Sequence, residues 1–323
     1  MIRESIANTL ILALLGISAF VLYFLEQTYY VNLISRLVVF AIAGVGLNIA
    51  LGFGGMVSLG HAAFFGVGGY IAGISSLHFI ESTPWFWGFN GTNQMLLIWL
   101  TTTFISILLS LIIGLISLRT TGVYFIMITL AFAQMIYYFA ISWDSYGGED
   151  GLLMSNRNQL FSYDTDNELF FFAICFSLLL IFLFLSSRLI RSRFGTALQV
   201  SRMNHIRLAT VGISPFPIKL VAFIVSAVIT TIAGALFADL NRFVSPDMLS
   251  WQMSGEIIIF ILLGGLGRLM GPVIGASIFA LLETILGAYT EHWKLFLGVF
   301  LLLIVLFAKG GLMEIVAGRK RHD

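Results

Sequence analysis

Apolar stretches of about twenty residues follow one another along almost the whole chain, separated by short polar breaks. A helix needs about 20 apolar residues to cross a hydrocarbon core. The pattern predicts ten spans, at 9–25, 33–51, 60–80, 94–117, 120–141, 168–187, 217–240, 253–266, 271–289 and 294–308. The eighth is too short to cross straight, so a broken or partly re-entrant helix is expected there. The first has a basic start and an apolar core without a small-residue cleavage site, and is expected to be a retained span.

Composition points the same way: 59% of residues are hydrophobic and 10% are charged, against roughly 25% charged in soluble domains. The fold class is therefore an all-α integral membrane protein of about ten transmembrane helices, in a single transmembrane domain over residues 1–323. Cys175, within an apolar run, excludes a disulfide framework and a thiolate metal site.

Charge fixes the expected orientation. Residues 188–219 hold six of the 17 basic residues and no acidic one. Lys and Arg collect on cytoplasmic loops. With both termini cytoplasmic, 13 basic residues fall inside, including Arg3, Arg119, Arg268, Lys309, Arg319, Lys320 and Arg321. Four fall outside: Arg36, Arg157, Arg242 and Lys294. The outer loop 142–167 is acidic and reads as irregular, with Asp144, Glu149, Asp150, Asp164 and Asp166.

Within the basic loop no proline interrupts 194–211, and short helices are expected. Phe194, Ala197, Leu198, Leu208 and Ala209 would fall on one face, and Thr196, Gln199, Arg207 and Thr210 on the other. Pro215 and Pro217 would stop this segment. A topology determinant or an anionic-lipid surface would explain the charge. A helix lying across the inner surface, one face to the spans and one to a cytoplasmic partner, also explains the length and the apolar face. Substitution in the loop is expected to leave the spans intact.

Segment 44–73 carries ten glycines in thirty residues. They read either as close helix packing or as unwound backbone that lets Asn48, Ser58 and His61 line a polar pathway. The cluster Gly52, Gly54 and Gly55 is expected to form the turn between two spans, and His61 to sit wet at the boundary. Glu256 and Glu283 fall inside apolar runs, where a charge costs on the order of 3 kcal/mol or more, so each should face protein or water. Asp239 reads as a solvated boundary residue. The turn 264–272 is glycine-rich, but no GxxxxGK[ST] nucleotide loop occurs anywhere in the chain. Histidines 61, 78, 205, 292 and 322 are scattered, so no catalytic cluster is expected. An ion-coupled carrier or channel using Glu256 or Glu283 remains open on these residues alone.

Four segments in order, GLNIALGFGGMVSLGHAAFFGVGGYIAG, TTGVYFIMITLAFAQMIYYFA, GGEDGL and FVSPDMLSWQMSGEIIIFILLGGLGRLMGPVIGA, resemble the permease subunit of branched-chain amino acid ABC importers, the LivM type. A related urea-type ABC permease shares much of the pattern. The resemblance implies a bacterial inner-membrane permease without catalytic or metal residues of its own. It implies two cytoplasmic ATP-binding subunits that use ATP-Mg, a related second permease subunit, and a periplasmic or surface amino-acid-binding protein. It places Arg193, Phe194, Gly195, Leu198, Arg202, Ala209 and Gly212 in an ATPase-coupling segment. Where members often carry an alanine after Leu198, this chain has Val200 and Ser201. A path for apolar amino acids needs small, aromatic and a few hydroxyl or amide groups; its candidates here are Asn48, Ser58, His61, Gln134 and Glu256.

Overall fold

A computed structural model describes residues 2–84, 91–161, 163, 165–290, 292–307 and 311–313. The expected cytoplasmic charges Lys309, Arg319, Lys320 and Arg321, with His322 and the acidic Asp164, lie outside the described residues, as do the side chains of Arg3, His205 and Arg207. Among the described residues, twelve α-helices carry the fold. They are α1 (Ile2–Phe24), α2 (Thr28–Asn48), α3 (His61–Ile80), α4 (Met95–Ser117), α5 (Val123–Ile141) and α6 (Glu168–Ile190). Then follow α7 (Arg193–Met203), α8 (His205–Thr210), α9 (Pro215–Asn241), α10 (Trp251–Gly264), α11 (Gly271–Tyr289) and α12 (Trp293–Phe307). Seven helical segments are long and apolar enough to cross a membrane; Asn8–Phe24, Trp251–Gly264 and Trp293–Ile304 are apolar but shorter. Each expected span corresponds to one of these ten.

The bundle is built around α2, which packs on α6, α9, α10 and α11 and is buried from Leu37 through Asn48. Helix α3 lies along α9, and the reason is small residues on both sides. A Cβ at Gly68 would strike the Thr231 carbonyl, and one at Gly234 would strike the Phe65 carbonyl. Without side chains at these points the two backbones touch, which gains van der Waals contact where lipid offers no hydrophobic drive. Hydroxyls add ties: Thr231 Oγ1 lies 2.8 Å from Ser106 Oγ, joining α9 to α4. By contrast α4 and α5 turn Leu100, Phe104, Tyr124 and Met135 outward, as a lipid-facing or partner-facing rim requires.

Helix α10 is short but unbroken. Its 14 residues rise about 21 Å, and a 3-10 turn at Pro246–Leu249 precedes it. Pro215 and Pro217 do not stop the basic segment so much as open α9, because the first helical turn needs no N–H partner. The glycine cluster after α2 also departs from expectation. The helix continues through Gly52 as a π-turn over Ile49–Phe53 before the chain leaves it.

Loop 142–167 is a folded structure. A two-residue strand, β1 (Leu152–Leu153), pairs antiparallel with β2 (Phe243–Val244). Buried Arg157 donates to Glu168 at 2.9 Å and to the Asp239 and Thr165 carbonyls at 3.2 Å, with its guanidinium over the Phe171 ring. Asp239 is buried, accepting from Asn158 Nδ2 at 2.6 Å, so the expectation of a solvated carboxylate is corrected. Its partner is 81 residues away in sequence, beyond the reach of a local reading.

Candidate functional site

The basic segment folds as α7 and α8 at one end of the bundle. Ser192 begins α7, its hydroxyl accepting from Gly195 N at 3.4 Å. The α7 face turned to the spans is Gly195, Leu198 and Ser201, spaced three apart. A Cβ at Gly195 would collide with the Ile190 carbonyl, so α7 is pressed against the end of α6. Of the expected inward face, Leu198 and Leu208 are buried and Ala209 is exposed. Outward lie Arg193, Thr196 and Gln199, together with apolar Val200, Met203, Ile206 and Val211. Gly212, at φ +83° after α8, lets the chain turn back toward α9.

Arg202 reaches from α7 into the bundle. Its Nη1 donates to the Gly52 carbonyl within the π-turn of α2. A π-turn shifts the i→i−4 ladder and leaves a carbonyl for another donor, and Arg202 supplies that donor. Gly55, at φ +68°, lies under the Arg202 side chain, where a Cβ would meet its methylenes. On the other side of the same turn, Asn48 Nδ2 donates to the Arg268 carbonyl at 2.8 Å. Gly267 N donates back to Asn48 Oδ1 at 3.3 Å. Buried Arg268 in turn donates to the Met313 carbonyl at 3.0 Å. One knot therefore joins α7, the end of α2 and the α10–α11 turn.

The start of α3 lies at the same end. His61 is fully buried, not wet as expected, between the rings of Phe64 and Phe223. Ser226 Oγ donates to the Gly46 carbonyl at 2.7 Å, so the His61 Nε2 at 2.8 Å must be the protonated nitrogen and donate to Oγ. Ser58 Oγ accepts from Gly60 N, and Ser254 Oγ joins the Ala62 N–H and Leu59 carbonyl to α10. Asn48 and His61 thus tie separate elements of the bundle together, while Ser58 holds the turn that opens α3. Gln134 is half-buried on α5. Glu256 lies at the opposite end, 3.8 Å from Lys294, while Glu283 lies 3.3 Å from Arg36. The five path candidates are not brought together. The tie through Arg202 was not legible, because its acceptor is a backbone carbonyl 150 residues away.

Among the described residues, spaces open between helices at several places. An apolar groove of 870 Å³ lies between α3, α4 and α5, lined by Val67, Ile71, Leu100, Phe104, Ile136 and Phe139. A cavity of 150 Å³ near the α7 end includes Gly55, Gly122, Phe125 and Lys219. A third, of 410 Å³, lies between α2 and α11.

A bundle of apolar helices, closed through small residues and carrying a basic amphipathic helix pair at one end, has the architecture of a multi-pass membrane permease. The chain belongs to the branched-chain amino acid transport system / permease component family, whose model matches residues 29–306. It is similar to the high-affinity branched-chain amino acid transport system permease protein LivM of Salmonella typhimurium, with 25% identity over 307 residues, covering 88% of this chain and 69% of the relative. The LivM protein of Escherichia coli K12 is 24% identical over 334 residues, covering 96% and 76%. No solved structure matches the chain.

Proposed function

We propose that this chain is the membrane-spanning subunit of an ATP-driven importer for branched-chain amino acids, with α7 as the helix that receives the motion of an ATPase. The observation that carries this reading is the Arg202 tie. The helix pair most enriched in positive charge presents Arg193, Gln199 and Met203 outward and holds the central helix of the bundle at its π-turn. Its excess of Lys and Arg supports placing that end, with both chain termini, in the cytoplasm, and the likeness to LivM supports a bacterial inner membrane.

In this mechanism ATP-Mg stays in two cytoplasmic partner subunits, and ATP binding draws them together. The partners press or pull α7; Arg202 passes the displacement to Gly52, and Asn48 passes it to the α10–α11 turn. Helices α2, α10 and α11 then shift relative to α3 and α9, opening the path alternately to the two sides. A binding protein on the outer side supplies ligand affinity, so the path needs only weak contacts from small and aromatic side chains. The exposed rim of α4 and α5 faces a related second permease subunit.

Isolation of the chain from its native membrane in mild detergent, with mass spectrometry of what accompanies it, tests the assembly. Two ATPases and a second permease are expected. Recovery of the chain alone or as a homo-oligomer would instead favour a carrier or channel.

A further inference from the structure

At the end of the bundle away from α7, the 410 Å³ cavity between α2 and α11 is lined by Tyr29, Arg36, Phe40, Glu283, Thr284 and Gly287, among others. Arg36 lies eight residues into α2 and Glu283 six before the end of α11. Both charges are therefore set about 10 Å inside the helix ends. Their contact is a single Nη2 to Oε1 approach of 3.3 Å, and their side chains keep 42% and 27% exposure. A closed guanidinium–carboxylate pair makes two parallel bonds of about 2.7–2.9 Å. Among the described residues neither group has another hydrogen-bond partner. A second loose pair, Lys294 and Glu256 at 3.8 Å, joins α12 to α10 at the same end of the bundle, outside the cavity lining.

One cation and one carboxylate, Arg36 and Glu283, thus line this space and sum to zero. Charges this far into a bilayer are expensive, and an open pair regains little of its desolvation cost. A ligand carrying both signs would satisfy both halves at once. We propose that this cavity binds a zwitterion with a primary ammonium and an oxyanion, the oxyanion on Arg36 and the ammonium on Glu283. The ammonium must carry N–H bonds, as a primary one does, because a carboxylate accepts N–H donors and a quaternary ammonium has none. Quaternary groups are held by aromatic cages, and of the two rings lining the cavity, Tyr29 and Phe40, the second already lies under the Arg36 guanidinium. A purely anionic ligand would meet the charge of Glu283.

This chemistry has two sources, a free α-amino acid and an amino-phosphate lipid headgroup. Exposed Leu281, Ile285 and Tyr289 on α11 give acyl chains a surface beside the cavity. The inference is independent of the ATP-driven reading, since neither source requires an ATPase.

The test uses the full chain in mild detergent, with any subunits that accompany it. Binding is measured by calorimetry for leucine, and by native mass spectrometry for phosphatidylethanolamine, phosphatidylcholine and phosphatidylglycerol. Saturable binding of leucine or of phosphatidylethanolamine is expected, and which of them binds identifies the source. Phosphatidylcholine and phosphatidylglycerol should bind at least about tenfold more weakly than phosphatidylethanolamine if the lipid is the ligand. Arg36→Met and Glu283→Gln should each weaken binding about tenfold, the loss of one charge-assisted bond. Binding of neither probe, phosphatidylglycerol binding as tightly as phosphatidylethanolamine, or unchanged binding in both variants would overturn the assignment. If a variant does not fold, the comparison of probes on the unaltered chain decides alone.

Discussion

The two ends of α2 both place polar groups inside an apolar bundle, and they do so in opposite ways. At the π-turn, Asn48 and the Gly52 carbonyl are bonded to Arg268, Gly267 and Arg202, and Asn48 and Arg268 are buried. At the other end Arg36 meets Glu283 through one long contact beside a cavity. A polar group buried in a satisfied network rigidifies what it joins. A loose pair beside a space leaves capacity for something else. The first arrangement suits the transmission of movement, and the second suits a ligand.

Breaking the satisfied end should cost most. Asn48→Leu removes both bonds by which Asn48 holds the α10–α11 turn, a loss of about 1–3 kcal/mol at roughly 1 kcal/mol per bond. Thermal unfolding in detergent should show a clear drop in midpoint. Gly195→Trp comes next. Its first carbon already overlaps the Ile190 carbonyl, so the α6–α7 joint must open, at about 1–3 kcal/mol. The variant should become readily cleaved by protease between 190 and 195. This corrects the expectation that substitutions in the basic segment leave the spans untouched. Ser192→Ala removes the cap of α7 and should cost about 1 kcal/mol, read as faster hydrogen exchange over the first turn of that helix. At the open end, Glu283→Gln should change stability by less than about 1 kcal/mol, because the half-exposed pair contributes little. A large drop in its unfolding midpoint would mean that both ends of α2 are structural.

The sequence reading matched the helices closely and the ties between them poorly, for a physical reason. Span length and apolarity are local, so each of the ten expected segments falls on an apolar helix, seven of them long enough to cross a membrane, and the short α10 was foreseen from its length. The buried face of α7 was only half legible. Hydrophobicity pointed to Phe194, Ala197 and Leu198, of which Leu198 is buried and Phe194 packs part-buried on the core, but Gly195 and Ser201, buried because their small size permits close approach, were missed. The glycines after α2 were readable as packing or as a turn, but the π-turn meets its donor, Arg202, 150 residues along the chain. His61 was placed at the right depth with the wrong surroundings. Hydropathy gives position across a membrane and says nothing of the Phe64, Phe223 and Ser226 that enclose it.

The Arg202 tie is the centre of the mechanism, and its most direct test is uptake per ATP hydrolysed in proteoliposomes holding the whole assembly. Arg202 is exposed apart from its donated bond, so Arg202→Ala should leave the chain folded. We expect ATP hydrolysis to continue while leucine uptake falls at least about tenfold, the scale of one lost charge-assisted bond. An unchanged ratio of uptake to hydrolysis would show that movement reaches the spans by another route, and would contradict the account.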